Sequence, residues 1–575
     1  MSRTHCLPFL LGLLLATGGS TALGQSLVIA ELHYAPAGDA DEEFLELANT
    51  GTTPVSLAGI QFSAGLTYTF AGGSLAPGGR VVVCRDRARF AARYGNVPEL
   101  APGAYAGRLD NAGETVTLAN AGGLPLFTVR YGVSGDWPAR ANGLGSSLEL
   151  GAPAADPALP ASWRPSAEYG GSPGRAGTGP RGRLVINELL AHTDPPLEDA
   201  VELYNPGTSP LDISGWYLSD SVDNPRKYRI PAGTVVPARG FRVLYEYQFD
   251  SPFPAAGDSP FTFNSARPDG CVILAADAAG NPLEWIDAVE FGPSINGVSF
   301  GRFPDGTGPW TTLSDLSLGS PVRGGNPPEW IAQFRLGPGA SNAPPLVGPL
   351  VFTRLQYHPA LGADEFLELQ NIGPAPLPLF DPAYPGNRWA LAGGIEFTFP
   401  TAFTVQPGEK FLVVPVNPEF FRARYGLPPA TRIVGPYTNA LNNAGERIEI
   451  LRPDTPQLPP HPDAGLVPYV RVESVSYLPA APWPVGASGT GTAIRRVNPS
   501  AYADQGANWT LDTALPPVAP VLAASLPSPG KVRLSWAGQA GVALVLEGRS
   551  DLSRPWQKLA DLPAPAVDGP QARDL

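Results

Sequence analysis

Charged residues are scarce in this chain: Asp, Glu, Lys and Arg make up 16% of 575 residues, and the acids prevail to a formal net charge of −13. A surface of that sign repels a phosphate backbone, which argues against nucleic acid as a partner. Cysteine is nearly absent, with three in all. Cys6 falls in an N-terminal leader, and Cys84 and Cys271 fall in different repeat units, so both read as small buried hydrophobes and not as a disulfide. Of five histidines, His5 is in the leader, His33 sits at a different repeat position from His192 and His358, and no pair has the spacing of a helical zinc site. No segment approaches the roughly 20 consecutive apolar residues of a membrane-spanning helix. A long helical period is missing as well.

Glycine (66) and proline (68) are abundant, a bias that favours many turns between short strands. An apolar content of 43% with 11 Trp argues for packed cores over disorder. The first residues, a short basic start, the apolar "CLPFLLGLLLATGG" and the small "STALG", predict a secretory signal peptide over residues 1–24. Position 25 is Gln, so no cysteine stands ready for lipid attachment.

Three segments open alike: "LVIAELHYAPAGDADEEFLELANTG" from Leu27, "LVINELLAHTDPPLEDAVELYNPG" from Leu184 and "LVFTRLQYHPALGADEFLELQNIG" from Leu350. A spacing of about 160 residues suits whole domains rather than solenoid units. The first and third copies agree further, through "FAARYG" and "FRARYG", where Phe90 and Tyr94 match Phe421 and Tyr425. They agree again in "LDNAGETVTL" and "LNNAGERIEI", which predict hairpins around an Asn-Ala-Gly turn. Alternating strands bounded by turns predict an all-β chain of tandem antiparallel sandwiches. The expected boundaries are sandwiches at 25–135, 183–300 and 348–480, Pro/Gly-rich linkers with trailing segments at 136–182, 301–347 and 481–516, and a further β module at 517–575. Linkers of that composition predict an extended, moderately stiff string of domains.

The second copy most closely resembles the lamin tail domain family, through Asn187-Glu188, Glu202-Leu203-Tyr204-Asn205 and the Gly215-Trp216 pair. The other copies keep Glu-Leu-x-Asn but have Gly59-Ile60 for the Gly-Trp pair, and Arg354 for the early Glu in the third. The resemblance implies immunoglobulin-like sandwiches used as repeated accessory modules in secreted bacterial proteins. The last 60 or so residues, with Trp536 and Trp556, resemble part of a fibronectin type III module.

Aligned across the copies, Glu46, Glu202 and Glu368 form one column, Asn49, Asn205 and Asn371 a second, and Gly51, Gly207 and Gly373 a third. A reaction centre is rarely written three times in one chain, so these residues read as a fold element. The Glu alternates with Leu on a half-buried strand, the Asn side chain closes a turn, and the Gly takes a positive φ. The sharper alternative is calcium, with Asp39, Asp41, Glu42 and Glu43 as oxygen donors. A pair of glycosidase carboxylates is a further alternative, but no sign of a substrate cleft accompanies it. "GGSPG" at 170–174 fits a serine nucleophile elbow formally, yet Pro173 lacks the N–H that the oxyanion hole requires, and "GSP" recurs at 319–321, so it reads as punctuation. Trp137, Trp163, Trp310, Trp330, Trp483 and Trp509 recur behind the domains as core or linker packing, with glycan stacking as the alternative. The sequence therefore predicts a secreted or cell-surface, non-enzymatic binding or scaffold protein. Its partners would be envelope or extracellular polysaccharide or protein, with no cofactor beyond possible calcium. The accessory part of a secreted hydrolase and a calcium-dependent glycan binder are the alternatives.

Overall fold

The computed structural model describes residues 26–134, 136–152, 155–318, 329–360, 363–460 and 462–512, and beyond them five strand segments. The expected signal peptide lies outside the described residues. The chain is all-β, built of mainly antiparallel sheets with short helices at their margins; Lys410–Val413 and Arg432–Val434 pair in parallel.

In the first sandwich, β1 (Leu27–His33), β2 (Phe44–Asn49) and β3 (Arg80–Cys84) form a front sheet together with β4 (Leu148–Leu150) and β5 (Trp163–Pro165), in the order β5-β4-β1-β2-β3. The back sheet holds Gln61–Ala64, Leu66–Thr69, Ala106–Gly107, Thr115–Ala119 and Pro125–Arg130. Leu27, Ile29, Leu32, Leu45 and Leu47 enter the core between the sheets, with Phe62, Leu118 and Val129 opposite. The Asn-Ala-Gly turn at 111–113 is not a hairpin. Ala106–Gly107 pairs with Leu66–Thr69, whereas Thr115–Ala119 pairs with Gln61–Ala64 and Pro125–Arg130, so two strands separate the arms of that turn.

The second and third sandwiches repeat the plan. Their front sheets are centred on β6 (Val185–Leu190) with β7 (Ala200–Tyr204), and on β10 (Leu350–Gln356) with β11 (Phe366–Asn371). Each has its own core. The regions expected as linkers are structural parts of the domains they follow. Residues 136–182 supply β4 and β5, residues 301–347 supply Trp310–Thr312 beside β9 (Phe300–Arg302), and residues 481–516 supply β12 (Ala493–Arg496) and β13 (Trp509–Asp512). The physical reason is edge protection: without these strands, β1 and β10 would present an open ladder to solvent, and so would β9, which itself covers β6. Of the six recurring Trp, Trp163, Trp483 and Trp509 are buried, Trp137 and Trp310 pack half-buried against the cores, and Trp330 is exposed.

The front sheet is covered on its outer face too. In the first domain, the helix α1 (Arg87–Tyr94) starts at Asp86, whose carboxylate accepts from the N–H groups of Ala88 and Arg89. It drops Phe90 onto Phe44, Val82 and Cys84. Phe366, Phe421 and Tyr425 form the same satellite cluster in the third domain. Cys84 and Cys271 are both buried free thiols.

Beyond residue 512 the strands Ala523–Ser528, Lys531–Gly538 and Gly569–Asp574 form one sheet and Leu544–Gly548 with Gln557–Leu562 another.

Candidate functional site

The site grows from a β-bulge found at the same place in all three domains. Ile29 pairs with Leu47 and Glu31 with Glu46, leaving Ala30 as the extra residue of β1. Without the bulge, strict alternation would aim Glu31 into the hydrophobic core. With it, Leu32 and Leu45 return to the core, and Glu31 stands beside Glu46 on the outer face. Asn187 and Thr353 are the extra residues of the other copies, which sets Glu188 beside Glu202 and Arg354 beside Glu368.

The acids of the first two copies are not half-exposed, as the alternation predicts. Glu31 is 1% exposed and Glu46, Glu188 and Glu202 are 0%. The cover is the trailing segment, which crosses the outer face and donates hydrogen bonds to them. Ser172 N–H reaches Glu31 Oε1 at 2.7 Å and Ser147 Oγ reaches the same oxygen at 2.5 Å. Ser172 Oγ lies 3.1 Å from Glu31 Oε2 and 3.2 Å from Glu149 Oε1, and Gly174 N–H donates to Glu46 Oε2 at 2.6 Å. Arg80 bonds Glu46, and Arg164 Nε bonds Glu149 at 3.0 Å. The glycines of "GGSPGRAG" let the backbone approach this closely: a Cβ on Gly171 would sit 2.5 Å from Glu31 Oε1, and one on Gly177 1.7 Å from Glu149 Oε1. Ser172, whose motif reads as punctuation in the sequence, is thus a buried clasp residue.

In the second domain Ser299 Oγ donates to Glu188 at 2.5 Å, Ser317 bonds it through N–H and hydroxyl, and Ala340 N–H donates to Glu202 at 3.0 Å. Asn187 Nδ2 adds a bond to Glu202 at 2.9 Å. The third domain changes the charges. Arg354 and Arg495 face Asp512 at 3.2 and 3.6 Å, while Glu368 takes Lys410 at 2.9 Å and Thr353 at 2.7 Å.

Burial dominates the electrostatics. Desolvation, reinforced by Glu46 and Glu149, pushes the Glu31 carboxyl up to about 8. Desolvation outweighs Arg80 at Glu46, raising it to about 7, and Glu149 and Glu202 are raised for the same first cause. A cavity of about 190 Å³ beside Glu31 and Glu149 is also lined by Arg80, Arg164 and Ser172.

The other predicted residues fall as follows. Asn49, Asn205 and Asn371 each close the turn: the side-chain oxygen accepts from Gly51, Gly207 and Gly373 N–H at 2.9 Å, and the amide donates to two carbonyls. The three glycines do not have positive φ. Glycine is needed because the Asn oxygen crowds the position, 2.9 Å from a Cβ at Gly207 and 3.1 Å at Gly373, while Ser26 would be 2.6 Å from one at Gly51. Gly215 does have positive φ, at 77°, and turns Trp216 into the core under the Arg183 guanidinium.

Asp39, Asp41, Glu42 and Glu43 do not converge. Asp39 caps a 3₁₀ turn and meets Arg89, Asp41 meets Arg85 and Arg108, Glu42 meets Arg93, and Glu43 is buried with Tyr105 and Leu109 N–H. Among the described residues no three His, Cys, Asp or Glu are grouped as metal ligands.

Residues 20–132 and 178–292 match the family model of the lamin tail domain, so the chain carries repeated lamin tail domains, sandwiches of the immunoglobulin-like kind. No curated protein and no solved structure matches it. Among the described residues no helix is long and apolar enough to cross a membrane.

Proposed function

We propose that this chain is a secreted, non-enzymatic, multi-domain binding or structural scaffold protein, exported by residues 1–24 and ending in a fibronectin-like module. The observation that carries the reading is the use made of the repeated acids in the first two domains. Glu31, Glu46, Glu188 and Glu202 are buried and hydrogen-bonded to the chain's own trailing segments, which is the work of assembly. Repetition of one module suits multivalent attachment, in which modest single-site affinities combine through effective concentration. The ligand class proposed is envelope or extracellular polysaccharide or protein.

Fractionation of producing cells, with a binding screen of the purified chain against polysaccharides and whole envelopes, tests this. Recovery in the medium or on the surface, with retention on at least one polymer, is the expected result. Cytoplasmic recovery, or turnover of a polysaccharide or phosphoester substrate that a single-site variant abolishes, would overturn it.

A further inference from the structure

The segment that covers the acids of the first domain does not stop there. Between β5 and Ser172 it runs along the edge of the second domain's strand β8 (Pro282–Phe291). Trp285 N–H donates to Ala167 O at 2.8 Å, Tyr169 N–H donates to Leu283 O at 3.0 Å, and Glu168 and Glu284 stand opposite each other as an antiparallel bridge. Tyr169 packs on Trp285 with ring centroids 6.0 Å apart, and the Arg140 guanidinium lies 5.3 Å over the other ring. Arg175 holds Glu168 at 2.8 Å and Arg183 holds Glu284 at 2.7 Å. From the first domain's side, Tyr94 OH and Arg93 bond the carbonyls of Gly170 and Tyr169. Thirteen consecutive positions, 166–178, therefore hold both sandwiches at once.

We propose that residues 166–178 act as a two-sided clasp that makes the first two sandwiches open as one unit, and that the clasp loosens as pH rises through neutrality. A segment seated on two bodies by interleaved bonds cannot leave one without disturbing the other: Ala167 and Tyr169, bonded to β8, lie within seven residues of Ser172 and Gly174, bonded to Glu31 and Glu46. The pH response comes from the surroundings of Glu31. Glu46 faces it from β2 and Glu149 from β4, Arg80 reaches Glu46 from β3, and Arg164 reaches Glu149 from β5. His33 lies further along β1, α1 brings Arg93 and Tyr94, and Glu42 meets Arg93. The clasp carries Glu168 and Arg175, and Glu99 lies beside Gly174. Two arginines against three crowded carboxylates favour a bound proton. With folded values raised above 4.5, to about 8 for Glu31 and about 7 for Glu46, the folded clasp holds more protons than the open one between those limits. Its stabilisation is complete below pH 4.5 and is lost as pH climbs to about 8.

Hydrogen exchange of the full chain, corrected for intrinsic rates, tests this between pH 5.5 and 8.5. Protection of the Ser172 and Gly174 amides and of the Tyr169 and Trp285 amides should fall together, at least tenfold, and Glu31→Gln should abolish most of that fall at all four. Trp285→Ala should lower protection at Ser172 and Gly174 tenfold at constant pH. Should that variant not fold, Trp285→Phe should lower it threefold. Protection at Ser172 and Gly174 within twofold of the parent in a folded Trp285 variant would overturn the coupling. A pH fall left intact in Glu31→Gln would overturn the release.

Discussion

At the residue scale, the decisive fact is that two kinds of repeated polar residue do opposite things for stability. Asn49, Asn205 and Asn371 satisfy three backbone groups each and have no charge to desolvate. Replacing Asn205 by Ala should cost the second sandwich about 1–3 kcal/mol, because buried backbone groups lose their partner. Gly207→Ala should cost a comparable amount by crowding the Asn205 oxygen, although its φ would suit any residue. Chemical denaturation that shows either variant within 0.3 kcal/mol of the parent would contradict this. Glu31, by contrast, is bonded by Ser147 and Ser172 and not by a base, and is held against two other acids, Glu46 and Glu149. Glu31→Gln should therefore flatten the pH dependence of unfolding, gaining about 2–4 kcal/mol on the parent between pH 5 and 8, since each displaced unit is worth about 1.4 kcal/mol. Equal slopes of parent and variant in melts across that range would refute it. The acid column was visible in the sequence, but its burial was not, because the alternation that sends Glu away from the core says nothing of what covers the far face.

At the scale of elements, the trailing segments matter most. The Pro/Gly-rich composition of 136–182 reads as a spacer, and the glycines are there for a different reason: they let backbone N–H groups reach carboxylates that any side chain would fend off. A fragment of residues 25–135, cut at the boundary the composition suggests, lacks β4, β5, Ser147 and Ser172. It leaves β1 as an open edge and the acids uncovered. It should be less stable than a fragment of residues 25–182 by about 5 kcal/mol or more, on the order of a whole small domain's stability, and should aggregate. Equal melting temperatures for the two fragments would count against the trailing segment as part of the fold. The bulge at Ala30, Asn187 and Thr353 is likewise an element no period reveals, since one extra residue resets which side chains share a face. The match of Phe90 and Tyr94 with Phe421 and Tyr425 was legible in consecutive residues, whereas the capping of their helices by Asp86 and Asn417 is seen in the structure.

At the scale of the whole molecule, charge and connectivity decide the behaviour. The acidic residues of 39–43 are each engaged by arginines or by backbone, so calcium should find no vacant cage there. A site filled at a hundredfold excess over Kd would add about 2.7 kcal/mol; adding calcium or a chelator should instead move the melting temperature by less than about 1 °C, and a shift of several degrees would restore the calcium alternative. The junctions are bonded rather than spaced. Beyond the clasp between the first two sandwiches, Arg267 of the second holds Asp463 of the third through two bonds of 2.8 and 2.9 Å, where composition predicts a moderately stiff string. The sequence by itself determined the repeat, the all-β class and the Glu-Leu-x-Asn strand, because local alternation and turn chemistry are written in consecutive residues. Only the tertiary structure decided that the acids are buried, that Ser172 covers them and that one segment serves two domains, because those contacts join residues as far apart as Glu31 and Ser172, and no local pattern carries a pairing made across the fold.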